Sequence, residues 1–478
     1  MKLKLSLLSA CLLSASFACA GGVKTYVTTA DRTQSFHRTT LKLSGKPRFP
    51  HVITLNPAVR HQQMDGFGAA VTGSTCYNLM KMTPADRRRF LVQTFSAKEG
   101  LGFSYIRISI GCSDFSLSEY TCCDVPGIEN FALQHEEKEY IIPILKEILA
   151  INPGLKILGS PWTCPKWMKV NNLEEKLPFD SWTSGHLNPD HYQDYAAYFV
   201  KWIQAFGNEG IRIYSVTPQN EPLNRGNSAS LFMGWKEELA FVKEALGPAF
   251  KAAALNTKIY AFDHNYNYDN MPQQADYPLK IYDDEVAAAF LTGAAYHNYG
   301  GNREELNDIR SRRPDKELIF TETSIGMWND GRNLHRRLIE DMREVALGTV
   351  NNWCKGVIVW NLMLDTERGP NREGGCRTCY GAVDISSADY KTITYNSHYY
   401  IIGHLSAVVQ PDAFRIESTP ATDDGLMYSA FENPDGTVAF VVLNSGETAV
   451  RFSLTADGKH YVNGELPARS VGSYQWKK

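Results

Sequence analysis

The chain has no block of basic residues and a net charge of −3, so it carries no footprint for nucleic acid or an anionic membrane surface. Beyond the first 20 residues no stretch approaches the roughly 18 consecutive apolar residues of a membrane-spanning helix. The Gly-x-Ser-x-Gly elbow of serine hydrolases is missing, which counts against an esterase. Gly66-Phe67-Gly68-Ala69-Ala70-Val71 lacks the third glycine of a dinucleotide fingerprint and reads as a tight strand. Cys376-Arg377-Thr378-Cys379 has no second Cys-x-x-Cys or His-x-x-x-His to complete a zinc site. A local disulfide bracing a loop is the better reading, and the partners of the remaining cysteines, Cys122-Cys123 among them, stay open. No solenoid repeat is visible. Neither a metal nor a cofactor is expected.

The opening residues are Met1-Lys2-Leu3-Lys4, a Leu/Ser/Ala run to Phe17, then Ala18-Cys19-Ala20-Gly21. A charged start, an apolar middle and small residues at the end make a secretory leader over 1–20, so the protein is expected to be exported. Ala18-Cys19-Ala20 suits an ordinary signal peptidase, while Ser16-Phe17-Ala18-Cys19 loosely resembles a lipoprotein box that would lipidate Cys19. Export to the periplasm, the cell surface or the medium fits both.

The 478 residues, 43% of them hydrophobic, suffice for one large domain and a smaller one. Residues 22–64 are β-prone without helical periodicity. Residues 65–405 alternate apolar strand candidates with amphipathic helices, the pattern of an α/β fold with a parallel sheet. Eight strands are expected at 66–69, 105–109, 156–161, 214–220, 258–263, 294–299, 318–321 and 356–361. Helices are expected between them at 84–95, behind Thr83 as N-cap, and at 136–151, 189–206, 233–246 and 334–349. Eight such units suit a (β/α)8 TIM barrel better than a doubly wound sheet. Residues 406–478 read as short β segments at 408–409, 426–431, 437–443, 449–454 and 471–476, with a hairpin turn at Asn433-Pro434-Asp435-Gly436. Together with the N-terminal strands they are expected to form a side β-sandwich.

Two segments carry the chemistry: Thr217-Pro218-Gln219-Asn220-Glu221-Pro222 and Leu318-Ile319-Phe320-Thr321-Glu322. Each is a β-rich run ending on a glutamate, on the fourth and seventh expected strands, and barrel strand C-termini are where side chains reach substrate. Either glutamate alone reads equally well as a solvated strand end. Together they are the paired carboxylates that glycosidic cleavage needs, one protonating the leaving oxygen and the other attacking. In a retaining mechanism Glu322 is the nucleophile, Glu221 the acid and then the base, with the carboxyls about 5–5.5 Å apart; an inverting pair stands about 6.5–9.5 Å apart. Asn220 can hydrogen-bond a sugar hydroxyl. Arg107, charged within an apolar strand, needs a carboxylate, and Glu322 is a candidate. Asp114, Trp162, His297, Tyr299 and Trp360 sit at or just past other strand ends. Aromatics make up 12% of the chain, and sugar sites use such faces.

With these residues in place the chain resembles glycoside hydrolase family 30, the group holding lysosomal glucosylceramidase and microbial β-1,6-glucanases. The resemblance runs through Gly66–Ala70, Ile106-Arg107, Cys112–Ser116, Ser160-Pro161-Trp162-Thr163, Gln219–Pro222, Thr321-Glu322 and Val359-Trp360-Asn361. Tyr399-Tyr400-Ile401-Ile402-Gly403-His404 marks the exit to the β domain. The resemblance implies a retaining mechanism, Glu221 as acid/base, Glu322 as nucleophile, and a sugar subsite of Asp114, Trp162, Asn220, Tyr299 and Trp360. Arg107 and His297 are read as supporting residues. The lysosomal member has Trp where Asn298 stands, and Gly374–Gly381 resembles the Gly-Gly-Cys-x-x-Cys-x-Gly loop of the β-1,6-glucanases. A β-glucan is therefore expected ahead of glucosylceramide. A glycan-binding protein without turnover is the alternative from another class.

Overall fold

The computed structural model describes residues 22–267, 271–421 and 425–478. The leader expected over 1–20, and Cys19 with it, lies outside the described residues. No helix among the described residues is long and apolar enough to cross a membrane.

The larger domain is a ring of eight parallel strands: Gly66–Ala69, Tyr105–Ser109, Lys156–Ser160, Ser215–Val216, Lys258–Asn265, Gly293–His297, Glu317–Glu322 and Cys354–Val359. The eighth pairs with the first, Gly356 opposite Gly66 and Val359 opposite Ala69. The ring closes between the first and second strands, where Ala70 bridges Arg107 and Ser104 N–H donates to Phe67 O. That approach is so close that a Cβ on Gly68 would lie 2.0 Å from Tyr105 O, which is why the tight strand is glycine-rich. The fourth strand is shorter than the sequence suggests. Only Ser215 and Val216 pair on both sides; Pro218 has no N–H to give to a ladder, and the chain leaves the sheet before Glu221.

Strand alternation fills the barrel in two layers. Tyr105, Leu158, Tyr260, Ala295, Ile319 and Ile358 form an apolar plug. Two residues further along most of these strands the inward positions are Arg107, Ser160, His297, Thr321 and Trp360, so polar groups stand on an apolar floor. Outside, helices such as Tyr192–Asn208 press Tyr195, Phe199, Trp202 and Phe206 onto the sheet. The helix Pro84–Phe95 begins where Thr83 accepts from Asp86 N–H, the cap its sequence suggests.

The second domain is one continuous nine-stranded sheet that wraps a separate core. Its N-terminal strands Gly22–Thr29 and His37–Lys42 join the C-terminal strand Ser470–Lys477, so both chain ends build it. The twelve-residue strand Val52–Gln63 serves both halves, pairing with Val450–Thr455 near its start and Phe414–Ser418 near its end. Two strands, Phe414–Ser418 and Val462–Leu466, were not legible as alternating runs. Val408 and Val409, expected as β, instead extend the preceding helix: both N–H groups donate to Leu405 O, satisfying a helix-end carbonyl.

The helix Ser397–Ser406, buried along its whole length, joins the domains. Tyr399 meets Thr94 of the barrel's helical shell, while His404 meets Ser473 and Thr28 of the sheet, each at 2.8 Å. Burial pushes the His404 imidazole down to about 3, and His398 on the same helix to about 4. An unfolded histidine titrates near ~6.5. The unfolded chain therefore binds protons below that pH which the folded chain refuses, and stability falls as pH drops from about 6.5 towards 4. His404→Gln is expected to cost about 1–3 kcal/mol at neutral pH and to flatten part of that decline. Thermal melts from neutral to acid pH test this; an equally steep decline in the variant sinks it.

Candidate active site

The polar layer at the C-terminal mouth is organised around Asp263, a residue that strand alternation hides. In the fifth strand the register with Gly293–His297 shifts between Phe262 and His264, and both Phe262 and Asp263 take positive φ, 73° and 64°. The bulge turns Asp263 into the barrel. Its Oδ2 accepts from Arg107 Nη2 at 2.6 Å, Ser160 Oγ at 2.6 Å and Thr217 Oγ1 at 2.7 Å. Its Oδ1 accepts from Thr321 Oγ1 at 2.6 Å and lies 3.0 Å from His297 Nε2. Burial alone would raise this carboxyl. The Arg107 charge and the His297 hydrogen bond outweigh it and hold Asp263 far below the usual carboxylate range.

Arg107 is fully buried. Besides Asp263 it pairs with Glu322 through Nη1 and donates to Asn220 Oδ1 at 2.7 Å. Its guanidinium also stacks against Trp162 and Trp360, whose rings lie parallel 5.1 Å apart. Glu322 accepts a further bond from Tyr299 Oη at 2.9 Å. Burial, with the charge of Glu221 behind it, holds the Glu322 carboxyl above the usual carboxylate range; the charges of His297 and Arg107 and the Tyr299 bond offset only part of that rise.

Glu221 occupies a different setting. Its backbone is turned to φ 44° just past the fourth strand, with its N–H on Asp263 O. Asn224 and Asn227, on the loop that follows, donate to Oε2 at 2.7 and 2.9 Å. His297 Nδ1 is 3.3 Å from Oε1 and His264 Nε2 is 3.9 Å from it. Burial raises the Glu221 carboxyl, but the His297 bond and imidazole charge bring it down to about 2. His297 itself, which burial would lower, is lifted to about 9 by Glu322, Asp263 and Glu221. It stands as an imidazolium donating to two carboxylates. His264 is pushed down to about 4 by burial and is neutral at neutral pH. A carboxylate oxygen of Glu221, one of Glu322 and a His297 nitrogen all lie within 4.8 Å of one another. Three such groups can converge on a metal ion, but the buried Arg107 guanidinium already pairs with Glu322 there and its charge opposes a dication.

The glutamates open into a cavity of about 550 Å³ whose walls include Asp114, Asn224, Arg225, Asn265, Tyr299, Trp328 and Trp360. Asp114 is pushed up to about 8, by burial first and the charge of Glu322 second, so it is a protonated donor at neutral pH. Arg372 anchors the Asp114 loop by donating to Ser113 O at 2.8 Å and Glu119 at 3.1 Å. Of the residues singled out from sequence, Asp114, Glu221, Tyr299, Glu322 and Trp360 line the cavity. Trp162, Asn220, Arg107 and His297 lie in the layer that supports it. Asp263, His264, Asn224, Asn227 and Trp328 were not singled out; Asp263 ends an expected strand and His264 follows it, but nothing in the sequence marks the bulge.

Cys376 and Cys379 form a disulfide at the rim, and the other six described cysteines are buried thiols. Cys379-Tyr380 pairs with Ile325-Gly326, immediately beyond Glu322, and Met327 N–H donates to Thr378 O at 2.9 Å. The rim is thus bonded to the extension of the seventh strand.

Two family models match the chain: the glycosyl hydrolase family 30 TIM-barrel domain over residues 64–409 and the family 30 beta sandwich domain over 412–474. Among curated proteins, the endo-1,6-beta-D-glucanase BGN16.3 of Trichoderma harzianum is 30% identical over 434 residues, 86% of this chain and 84% of that one. A putative glucosylceramidase 4 of Caenorhabditis elegans is 28% identical over 445 residues, 88% and 82% of the two chains. Among solved structures, the endo-beta1,6-glucanase BT3312 superposes with TM-score 0.93 at 66% identity, covering 96% of this chain and 99% of that one.

Asp263→Asn keeps the shape but leaves Arg107 and His297 short of a counter-charge. It is expected to cost about 3–5 kcal/mol of stability and to lower the His297 titration. Denaturant unfolding and an imidazole NMR titration measure the two effects. An unchanged His297 midpoint would falsify the assignment of Asp263 as the hub.

Proposed function

The chain belongs to glycoside hydrolase family 30, and on that premise we propose that it is an exported, retaining endo-β-1,6-glucanase, with Glu322 as nucleophile and Glu221 as acid/base. The observation that carries this is the pair of buried glutamates at one cavity, close enough for a shared reacting carbon and differently surrounded. The 66% identity to an endo-β-1,6-glucanase and the 30% identity to the fungal one support the linkage. Export, expected from the leader-like residues 1–20, fits a polymer met outside the cytoplasm.

In this reading, a glucosyl unit rests on Trp360 with Asp114 donating to a hydroxyl. The ionised Glu322 attacks the anomeric carbon, and its charge is prepared by Arg107 and Tyr299. The leaving oxygen takes a proton from Glu221. In the empty site that proton is held on His297, one hydrogen bond away. Covering the pair with sugar removes water from Glu221 and favours its neutral form, so the proton passes from His297 Nδ1 to Glu221 and then to the leaving oxygen. In the second half, Glu221 accepts a proton from water, whose oxygen attacks the same carbon and frees Glu322.

Glu221→Gln is expected to lower kcat/KM on β-1,6-glucan by about 10²–10⁴-fold, and Glu322→Gln to abolish turnover. A mechanism-based fluorosugar labels Glu322; peptide mapping to another residue sinks the roles. Incubation with β-1,6-glucan, laminarin, glucosylceramide and an aryl β-glucoside tests the substrate. Oligosaccharides from β-1,6-glucan support the proposal, and release of ceramide alone reverses it in favour of a glucosylceramidase.

A proton held between His297 and Glu221 makes activity depend on pH. The group that must keep its proton is the His297–Glu221 pair, whose uptake site is raised to about 9 in the empty site, so activity falls as pH rises towards that value. His297→Asn leaves the proton to Glu221 alone and moves the alkaline limb of kcat/KM to lower pH. A limb that stays in place removes His297 from the proton path.

A further inference from the structure

Beside the catalytic cavity lies a second hollow of about 280 Å³ that shares three wall residues with it: Tyr299, Ser324 and Trp328. It is too small for a drug-sized ligand, for which sites span roughly 300–1,000 Å³, and suits a single ring. Asn298 stands in its wall, and the far side is the helix Leu334–Asp341 and the turn after it.

Its chemistry is mixed in a specific way. Arg337 donates to Glu340 at 2.7 Å and pairs with Asp341, and Arg343 pairs with Glu344 at 3.1 Å. Two arginines face three carboxylates in the wall, and Arg303 on Glu344 and Arg336 on Glu340 add cations from behind it, so every wall carboxylate is already paired and an ionic ligand finds no free partner. Two polar atoms are left over. Ser324 is 5% exposed and its hydroxyl has no hydrogen-bond partner; Asn298 Oδ1 is likewise buried and unpartnered. Buried polar atoms without partners are uncommon; Ser324 stands where the hollow meets the catalytic cavity, and Asn298, next to the shared Tyr299, lines the hollow itself. Trp328, which also lines both cavities, is 53% exposed. It does not stand on a loose loop: Ile325-Gly326 pairs with Cys379-Tyr380, and the Cys376–Cys379 disulfide closes the partner loop. Neutral hydroxyl recognition next to a fixed aromatic face is the chemistry of a sugar ring.

We propose that this hollow is a further saccharide subsite, taking one more glucosyl unit of the chain whose bond is cut, with Ser324 and Asn298 bonding its hydroxyls and Trp328 covering its ring face. The proposal rests on the β-1,6-glucan reading. It makes Asn298 a specificity residue, because an indole at that position occupies the space the ring needs.

The test uses the full chain and a ladder of β-1,6-linked gluco-oligosaccharides from the disaccharide upward, with kcat/KM measured at each length and products sized. In the native enzyme one added unit raises kcat/KM by roughly tenfold, the size of a few hydrogen bonds. Asn298→Trp and Trp328→Ala each remove most of that step, so their losses are several-fold larger on substrates beyond it than on those below. Ser324→Ala removes a hydroxyl that bonds nothing in the protein, so it tests the step without disturbing the fold, and is expected to lower it about threefold. A loss of the same factor at every length, in all three variants, overturns the subsite and leaves the glucanase reading standing. Native enzyme that cleaves no member of the ladder overturns the glucanase reading, and the subsite with it.

Discussion

A fully buried guanidinium is the constraint on which the rest of the barrel mouth depends. Taking Arg107 out of water costs several kcal/mol even after relaxation, and only close counter-charge recovers it. Asp263 and Glu322 supply that charge, but each is itself a buried anion with the same difficulty. Asp263 is stabilised by Ser160, Thr217, Thr321 and His297, and Glu322 by Arg107 and Tyr299. No charged member can be removed without leaving another short of counter-charge. Mutual dependence of this kind fixes the carboxylates before any substrate arrives, which is the preorganisation that transition-state charge stabilisation requires. It also separates the two glutamates electrostatically: one is bound to a permanent cation, the other to an imidazole that can give up its proton.

How much of this was legible follows from backbone geometry. The eight strands, the shell helices and the two terminal glutamates could be read because period-2 alternation ran true as far as the strand ends. Arg107 could be read because it breaks an apolar run, and its need for a carboxylate is elementary. Asp263 could not. Ordinary alternation from Tyr260 places Phe262 and His264 inward, and only the bulge, with two residues at positive φ, brings Asp263 round instead. Such a backbone turn costs energy that no local signal in the sequence records. Asn224 and Asn227 were hidden for another reason: they sit in a loop past Pro222, and loop residues have no periodicity to place them. In the small domain, Val408 and Val409 have strand-like composition, yet two residues are too few to outweigh the open carbonyl at the end of a helix.

The deep layer and the rim differ in what holds them. Trp162, Asn220 and His297, taken from sequence for their strand-end positions, belong to the deep layer, where charge matching and close packing leave each residue little freedom. At the rim, Trp328, Arg225 and the disulfide loop are partly open to solvent; a few backbone bonds tie the Trp328 turn to the disulfide loop, and Arg225 rests on the Phe232 ring. Yet the rim is not independent of the centre. Glu322, Ser324 and Trp328 lie on one short stretch of chain, and that stretch is pinned by its pairing with Cys379-Tyr380, so Trp328 is held in register with Glu322, the proposed nucleophile.

This arrangement explains how one reaction centre can serve different glycans. A substitution in the deep layer leaves a buried charge unmatched and costs about 3–5 kcal/mol, a large part of a domain's margin of stability. A substitution at the rim costs little for folding, because its residues bury little and pair with few others. Change can therefore accumulate where the substrate's distal parts are met while the bond-breaking groups stay put. The relatives are consistent with that division, with β-1,6-glucanases and a putative glucosylceramidase similar to this chain over most of its length. The charge balance around Arg107 and Asp263 fixes the two glutamates, whereas Asn298 and Trp328 stand outside it, so the fold can exchange them without disturbing that balance.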